Sequence, residues 1–347
     1  VFGVQRLNSG KPILVKVESN PWESKVVFNP GCVLVEDEDE VGEIVESMKP
    51  DKETLDKLRN HRALVFVVYR AQGMDEFKRS SLGLAIFSPD LKLIKRFPHP
   101  IVKPEEKFEN LGVEDPRINK VGKSYFMFYT GYSSGSEGNK INICIAETKD
   151  FVHWRKHGLL KGEINEVDNK NAVLFPEKIN GKFVLLHRPM EGEKSMVIHY
   201  AISDDILGEW KDFGVLIDCE VKPGFVKSWN GAGAPPLKIG EKNFLMIYHI
   251  GNFKSDSTRE YHLGIALIEK DDRSYIKLVK KFEPFLKPET EFETRGDEEL
   301  GVNNVVFICG AYFYDDYLYF PYAGADSVIL GGRVLKSEIL NWARNKS

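Results

Sequence analysis

A β-rich pattern that occurs five times along the chain limits its fold more than any other feature. A short run rich in β-branched and aromatic residues is followed each time by a second short apolar run: ALVFVVYRA with LGLAIFSPD, SYFMFYTGY with INICIAETKD, KFVLLHRP with VIHYAISDD, NFLMIYHIG with HLGIALIEKDD, and YLYFPYAGA with VILGGRVL. Aligning Tyr69, Tyr129, Leu186, Tyr248 and Tyr322 gives spacings of 60, 57, 62 and 74 residues. Units of this size bury their apolar faces by stacking on one another, and five of them predict an all-β chain folded as a five-bladed β-propeller, one domain over residues 1–347. Gly, Asn, Asp and Pro at the breaks support the strand assignments. Helix is expected in two places only: Asp51–Asn60, with Asp51 as N-cap, and a short C-terminal helix at about 337–344. A charged insertion at about 36–62 interrupts the first hairpin, and its acidic opening, EDEDEVGEIVE, reads as a solvated surface excursion rather than a lid or an oligomer contact.

Charge and cysteine usage narrow the partners. Lys and Arg total 48 against 52 Asp and Glu, a net charge of −4, so no chain-wide positive field exists to hold nucleic acid or an anionic membrane. No apolar run reaches membrane-spanning length, and the opening VFGVQRLNSGK has no basic segment followed by an apolar one, so no export signal is read there. The first residue is Val1 rather than Met, which leaves a removed leader open. Cys32, Cys144, Cys219 and Cys309 are far apart and never in C-x-x-C spacing, which argues against a zinc ribbon or a disulfide framework and for a reduced, cytoplasmic setting.

The innermost strands of a propeller line one axis, and the repeated aromatic runs are read as those strands. Residues just after the aligned aromatic should then face one another across a funnel. That column reads Arg70, Thr130, His187, His249 and Ala323, and the next reads Ala71, Gly131, Arg188, Ile250 and Gly324. Arg and His gather in three blades, which suits an anion or polyol site; the alternative is that each pairs with a local acid at a strand end. Asp115 in GVEDPRI, flanked by Glu114 and Arg117, is either a carboxylate with partners or an Asp-Pro turn. Asn29 in FNPG and Asn171 in NAVLFP have the same character. In WNGAGAPP an exposed Trp229 could stack on a sugar, although a tight inter-blade crossing explains the same letters. Asp326 in YAGADS accepts two sugar hydroxyls or holds a turn. P-loop, G-x-G-x-x-G and H-E-x-x-H motifs are absent.

In order, FNPG, LVFVVYRA, GVEDPRI, NAVLFPEKINGKFVLLHRP, GAGAPP, IYH and YAGAD resemble the framework of glycoside hydrolase family 130, the β-mannoside phosphorylases and β-mannosidases. The resemblance implies a five-bladed propeller with Asp115 as general acid, acting through the substrate's own 3-hydroxyl. It implies an inverting attack by inorganic phosphate on a β-mannosidic bond, giving α-mannose 1-phosphate, with no metal and no cofactor beyond that co-substrate. Phosphate would be held by Arg70, Arg188 and His249; the mannoside by Asn29 and Asp326, with Glu114, Arg117, Asn171, His187 and Trp229 as further substrate contacts. The family's Lys before the glycine run is Trp229 here, so Lys227 is the nearest substitute. An inverting hydrolase using Glu114, Glu177 or Glu220 as base therefore stays open. So do a sugar-binding propeller without turnover, and another five-bladed glycosidase type with Asn29 in the place of its first-blade Asp. Acceptor choice is expected to lie in excursions such as residues 36–62, and the partners admit a homo-oligomer.

Overall fold

The structure, a computed structural model, describes residues 2–136, 138–192, 194–255 and 258–345. Five antiparallel sheets form the five blades of a β-propeller. Blade I is Val26–Val35, Leu64–Gln72, Ser81–Phe87 and Leu93–Arg96; blade II is Gly112–Val121, Ser124–Gly135, Gly138–Thr148 and Arg155–Leu159. Blade III runs from Asn169–Leu174 through Phe183–Pro189 and Ile198–Ser203 to Glu209–Ile217; blade IV from Lys227–Ala232 through Asn243–Phe253 and Arg259–Asp271 to Tyr275–Leu286. Blade V has a split inner strand, Val306–Ile308 and Tyr312–Tyr314, then Tyr317–Gly324 and Val328–Leu335. Its outer edge is covered by Gln5–Arg6 from the other end of the chain, which closes the ring. Apolar cores lie between adjacent blades, so each sheet is buried on both faces.

The repeated aromatic runs are therefore second strands, not innermost ones. The axis is lined instead by the segments before them, which include FNPG, EDPR and NKNA. In blades I to III the inner strand carries a bulge between Phe28 and Gly31, Glu114 and Arg117, and Lys170 and Val173. At each bulge one residue adopts a left-handed conformation: Asn29 (φ 46°), Asp115 (φ 53°) and Asn171 (φ 59°). Asn and Asp tolerate that region better than other non-glycine residues, and the bulge re-aims the side chain at a cost in backbone strain.

The bulges also correct the predicted alignment. Tyr69, Tyr129 and His187 lie opposite them, because Phe28, Glu114 and Lys170 pair with Arg70, Thr130 and Arg188. Blade III is thus one residue out of the expected register. Since alternate residues face opposite sides, His187 turns away from the axis and Arg188 toward it.

The row containing Tyr69 is structural. Tyr69, Tyr129 and Tyr322 donate their hydroxyls to the buried carboxylates of Glu23 (2.8 Å), Glu109 (2.9 Å) and Glu293 (2.7 Å), and Tyr248 donates to Glu283. A cation closes each pair: Arg96, Lys156, Arg6 and Lys222, in that order. Blade III substitutes His187, Asp212 and His199, whose ligand atoms lie within 4.8 Å of one another. Asn169 Nδ2 donates to His187 Nδ1 (2.9 Å) while its own oxygen accepts from Arg188 N. His187 Nε2 faces Asp212 Oδ1 at 3.4 Å, so this trio stands where the other blades have their Tyr–Glu pair.

Burial lowers the His187 pKa, whereas at His199 the bonds to Asp212 and Lys194 overcome burial and raise it. Asp212 is held low against its burial by the two imidazoles. A raised His199 contributes stability below the unfolded histidine pKa and loses it as pH rises through the folded value; a lowered Asp212 contributes above the ordinary carboxylate range. Asp212→Asn is accordingly expected to cost about 2 kcal/mol near pH ~5.5 and distinctly less near pH ~9, measured by urea unfolding at both values.

The acidic insertion is not a solvated excursion. It forms helix α1 (Glu38–Ser47), capped by Asp37, and helix α2 (Lys52–Leu58), capped as expected by Asp51. Its acids cover the outer face, but Val41, Ile44, Val45 and Met48 enter the core between blades I and II. Glu40 accepts from Tyr125 Oη and Lys120 Nζ, both at 2.6 Å. The insertion joins Val35 to Leu64, at the end of blade I away from Asn29 and Arg70, so it cannot contribute to acceptor choice there. A one-turn helix α3 (Glu291–Thr294) presents Glu293, and the C-terminal helix α4 (Lys336–Arg344) packs Trp342 on Phe2.

Candidate active site

The bulges and second strands deliver their polar side chains to one axial cavity of about 120 Å³. Asn29, Glu114, Asp115, Asn171 and Lys170 reach it from inner strands, and Arg70, Arg188 and His249 from second strands. Tyr261, Phe307 and Asp326 complete the wall from blades IV and V. The site is assembled from all five sheets, and rigid strands rather than mobile loops aim most of its groups.

Asp115, 5% exposed, is the best-held carboxylate. It accepts from Asn29 Nδ2 at 2.8 Å and from Arg70 at 3.3 Å. Burial pushes its pKa up, but Arg70, Arg117 and the Asn29 bond outweigh this and hold it below the ordinary value. Arg70 also reaches Glu114 at 2.6 Å and stacks on the Phe28 ring at 4.6 Å. Its charge is already balanced by two carboxylates. Asp326 behaves oppositely: burial first, then its acidic neighbours, raise it to about 7 against the attraction of Arg70 and Lys170. At neutral pH the cavity thus holds one ionised and one half-protonated aspartate.

The far side of the cavity is cationic and unbalanced. Arg188 is 4% exposed and has no carboxylate partner among the described residues; burial draws its pKa down to about 10. Its Nη1 lies 3.4 Å from His249 Nε2, which also accepts from Asn171 Nδ2 at 3.2 Å. Two donors at Nε2 leave the proton on Nδ1, so the imidazole is neutral, as burial and the adjacent Arg188 require. Lys170 is lowered by burial and then by Arg188. The Nε of Arg70, the Nε of Arg188 and Nδ1 of His249 are buried N–H donors with no acceptor among the described residues. Buried donors are rarely left this way, and three around one cavity mark a place for an acceptor-rich anion or sugar.

Four expected ligand residues lie elsewhere. Lys227 is exposed at the first position of its strand, KSWNGA, whose other five residues are buried. His187 faces Asp212, as described. Trp229 is buried, not exposed: its ring covers Gly251, where a Cβ would come within 2.2 Å, and packs edge-on against Tyr261 at 5.5 Å. Arg117, 1% exposed, donates to the carbonyls of Asp115 (3.0 Å), Gly233 (3.0 Å) and Ala232 (3.1 Å), pinning blades II and IV beneath the cavity. Of the candidate bases, Glu177 pairs with Lys238 and Lys270, Glu220 is exposed, and only Glu114 is at the cavity.

Lys170 is the charged cavity residue that sequence reasoning missed, along with Tyr261, Val305 and Phe307 of the wall. Aligning the inner strands would have found it, since Phe28-Asn29, Glu114-Asp115 and Lys170-Asn171 occupy equivalent bulges. It supplies the cation that Trp229 and Lys227 do not.

A match to the family model described as β-1,4-mannooligosaccharide phosphorylase, glycoside hydrolase family 130, extends over residues 4–345. The chain belongs to glycoside hydrolase family 130. It is 33% identical over 344 residues to a β-1,2-mannobiose phosphorylase of Thermoanaerobacter sp. (strain X514), covering 97% of this chain and 99% of the relative. It is 32% identical over 330 residues to a 1,2-β-oligomannan phosphorylase of the same organism, covering 92% and 94%. The solved β-1,2-mannobiose phosphorylase from Listeria innocua in complex with β-1,2-mannobiose superposes with a TM-score of 0.73 at 20% identity, covering 98% of both chains. As a family 130 member the chain is an enzyme acting on β-mannosides, a glycoside phosphorylase or a glycoside hydrolase, and its propeller is the family's fold. Among the described residues no helix is long and apolar enough to cross a membrane.

Proposed function

We propose that this enzyme cleaves β-1,2-mannosidic bonds with inorganic phosphate and inversion, releasing α-mannose 1-phosphate. The observation that carries this is the buried Arg188, with no carboxylate bonded to it among the described residues, and the half-buried Lys170 beside it at the cavity that holds the Asp115 carboxyl. A buried guanidinium without a counter-ion is costly, and a phosphate between Arg188, Lys170 and His249 would relieve that cost. The names of the two Thermoanaerobacter relatives support both the phosphate and the linkage.

In this mechanism Asn29, Glu114 and Asp326 hold the mannosyl hydroxyls, and Asn171 fixes the His249 ring. A phosphate oxygen forms the new bond to the anomeric carbon as the bond to the leaving oxygen breaks. The leaving oxygen takes its proton from Asp115 by way of the sugar's 3-hydroxyl. Phosphate adds negative charge near Arg188 and Lys170, which raises Asp115 from its depressed value toward the protonated form this role requires. Because phosphate is already an anion, no second carboxylate is needed as base, and the Arg70-bound state of Glu114 fits that division of labour. The four unpaired cysteines are consistent with work in a reducing cytoplasm.

The test is incubation with β-1,2-mannobiose with and without phosphate. Mannose 1-phosphate is expected only when phosphate is present. Equal release of free mannose in both would make the enzyme a β-mannosidase, and binding without any product would make it a sugar-binding propeller.

A further inference from the structure

Asp115 is held from below by a residue that does not line the cavity. The blade II bulge shifts register between Glu114 and Arg117, so Asp115 and Pro116 are unpaired in the ladder, and Pro116 has no N–H to donate. Asp115 is also left-handed, with φ 53°. An unpaired peptide in that region keeps one orientation only where its surroundings fix it. Arg117 Nη1 supplies the bond, donating to Asp115 O at 3.0 Å. The corresponding positions of the other two bulges are Gly31 and Val173, which carry no side-chain donor. Of the three bulges, the one bearing a carboxyl group is the one with this tether.

The rest of the guanidinium ties that peptide to other blades. Nε donates to Gly233 O (3.0 Å) and Nη2 to Ala232 O (3.1 Å). Nη2 also lies 3.5 Å from Asn171 Oδ1, and Asn171 Nδ2 donates to His249 Nε2 at 3.2 Å. Gly231 makes room for that second contact, since a Cβ there would stand 2.3 Å from Asn171 Nδ2 and 2.5 Å from His249 Nε2. Two hydrogen bonds in series therefore join Arg117 to the imidazole on the anion side, while a third holds the backbone of the acid.

The charge of Arg117 acts at both ends. It is 1% exposed and its hydrogen bonds go to carbonyl and amide oxygens, a costly arrangement for a cation that does no more than join strands. After burial and Arg70, Arg117 is the next influence on Asp115 and favours its ionised form. After burial and Arg188, it is the next influence on His249 and favours the neutral ring.

We propose that Arg117 is a positioning residue for the reaction: it aims the Asp115 carboxyl and, through Asn171, sets the His249 ring, so that the acid and the anion site keep one fixed separation. The proposal rests on the acid role given to Asp115 above and adds the residue that makes that role geometrically possible.

The experiment compares kcat, and KM for phosphate, in the wild type, Arg117→Lys, Arg117→Gln, Asp115→Asn and the double variant Asp115→Asn with Arg117→Lys, using β-1,2-mannobiose and an aryl β-mannoside. Lysine keeps the charge but cannot span the carbonyls of Asp115, Gly233 and Ala232 as the fork does. Arg117→Lys is expected to lower kcat on mannobiose about 30-fold, within the range for a reacting group displaced by ~1 Å. KM for phosphate should rise no more than about threefold, because Arg117 touches no substrate. With the aryl mannoside, and equally in the Asp115→Asn background, the cost of Arg117→Lys should shrink to about threefold or less, since a residue that acts through Asp115 has little left to lose there. Equal losses with both substrates and in both backgrounds make Arg117 a structural pin and overturn the proposal. So does an unchanged kcat in Arg117→Lys and Arg117→Gln, or failure of both to fold by circular dichroism; in each of these cases the acid role of Asp115 stands. Near-normal kcat in Asp115→Asn, or no turnover by the wild type, overturns that role and the proposal together.

Discussion

Asp115→Asn is expected to lower kcat by about a thousandfold while leaving the fold and phosphate binding nearly intact. Proton donation by a positioned acid contributes roughly 10²–10⁴ to rate, and an amide has no proton of suitable acidity to give. The substitution is close to isosteric, and Arg70 keeps Glu114 as a partner at 2.6 Å, so no buried cation is stranded by it. The substitution breaks no hydrogen bond of Arg188 or Lys170, and it removes an anion that opposes phosphate at those two cations. Two measurements separate a lost acid from a disturbed site. With an aryl mannoside, whose leaving group needs little protonation, the deficit should shrink by one to two orders of magnitude. The phosphate-induced rise in Tm should be at least that of the wild type, since the ionised carboxylate that opposes phosphate is gone. An Asp115→Asn enzyme of near-normal kcat would remove Asp115 from the mechanism.

The second large effect concerns the nucleophile. Arg188→Met is expected to raise the KM for phosphate about 10- to 100-fold, the value of a charge-assisted bond to an anion in a buried site. It carries a further signature of opposite sign. Because Arg188 lies buried without a carboxylate partner and its pKa is drawn down to about 10, the folded protein bears the cost of that charge before phosphate arrives. An apolar side chain of similar volume removes the cost. Without phosphate, Arg188→Met should therefore be as stable as the wild type or more so; with phosphate, the wild type should gain stability and the variant should not. A residue that merely held the strand in place would lower Tm under both conditions.

Much of this site was legible in the chain because local chemistry reports on local geometry. Asn29, Asp115 and Asn171 announce themselves as polar residues at breaks in β-rich runs, and all three occupy left-handed bulges. Arg70, Arg188 and His249 were found by assuming that equivalent positions in five repeats converge. The convergence holds although the alignment was one residue out in blade III and the strands chosen were second, not innermost. Errors appeared where a side chain's direction mattered. His187 and Arg188 are adjacent in sequence and face opposite sides of one strand, so a slip of one residue placed His187 in the cavity column although it faces Asp212. Lys227 looked like a ligand because it is a cation near the glycine run; it stands at the exposed first position of a strand that is otherwise buried. The acidic letters of EDEDEVGEIVE concealed three apolar residues at helical spacing, Val41, Ile44 and Val45, which dock it as α1 on the core.

What the chain by itself determined is the number of repeats, the β character of each and the types of group available at the ends of their strands. These follow from composition and from the β-branched and aromatic enrichment of each run between its Gly, Asn, Asp and Pro breaks. Only the tertiary structure decided which of those groups share a cavity, which cations are already balanced by carboxylates, and which remain unpaired. Pairing depends on distances of a few ångströms between residues from different blades, set by how the sheets pack around the ring. Arg70 and Arg188 are the same residue type, both near the ends of second strands, yet one meets Glu114 and Asp115 and the other meets none.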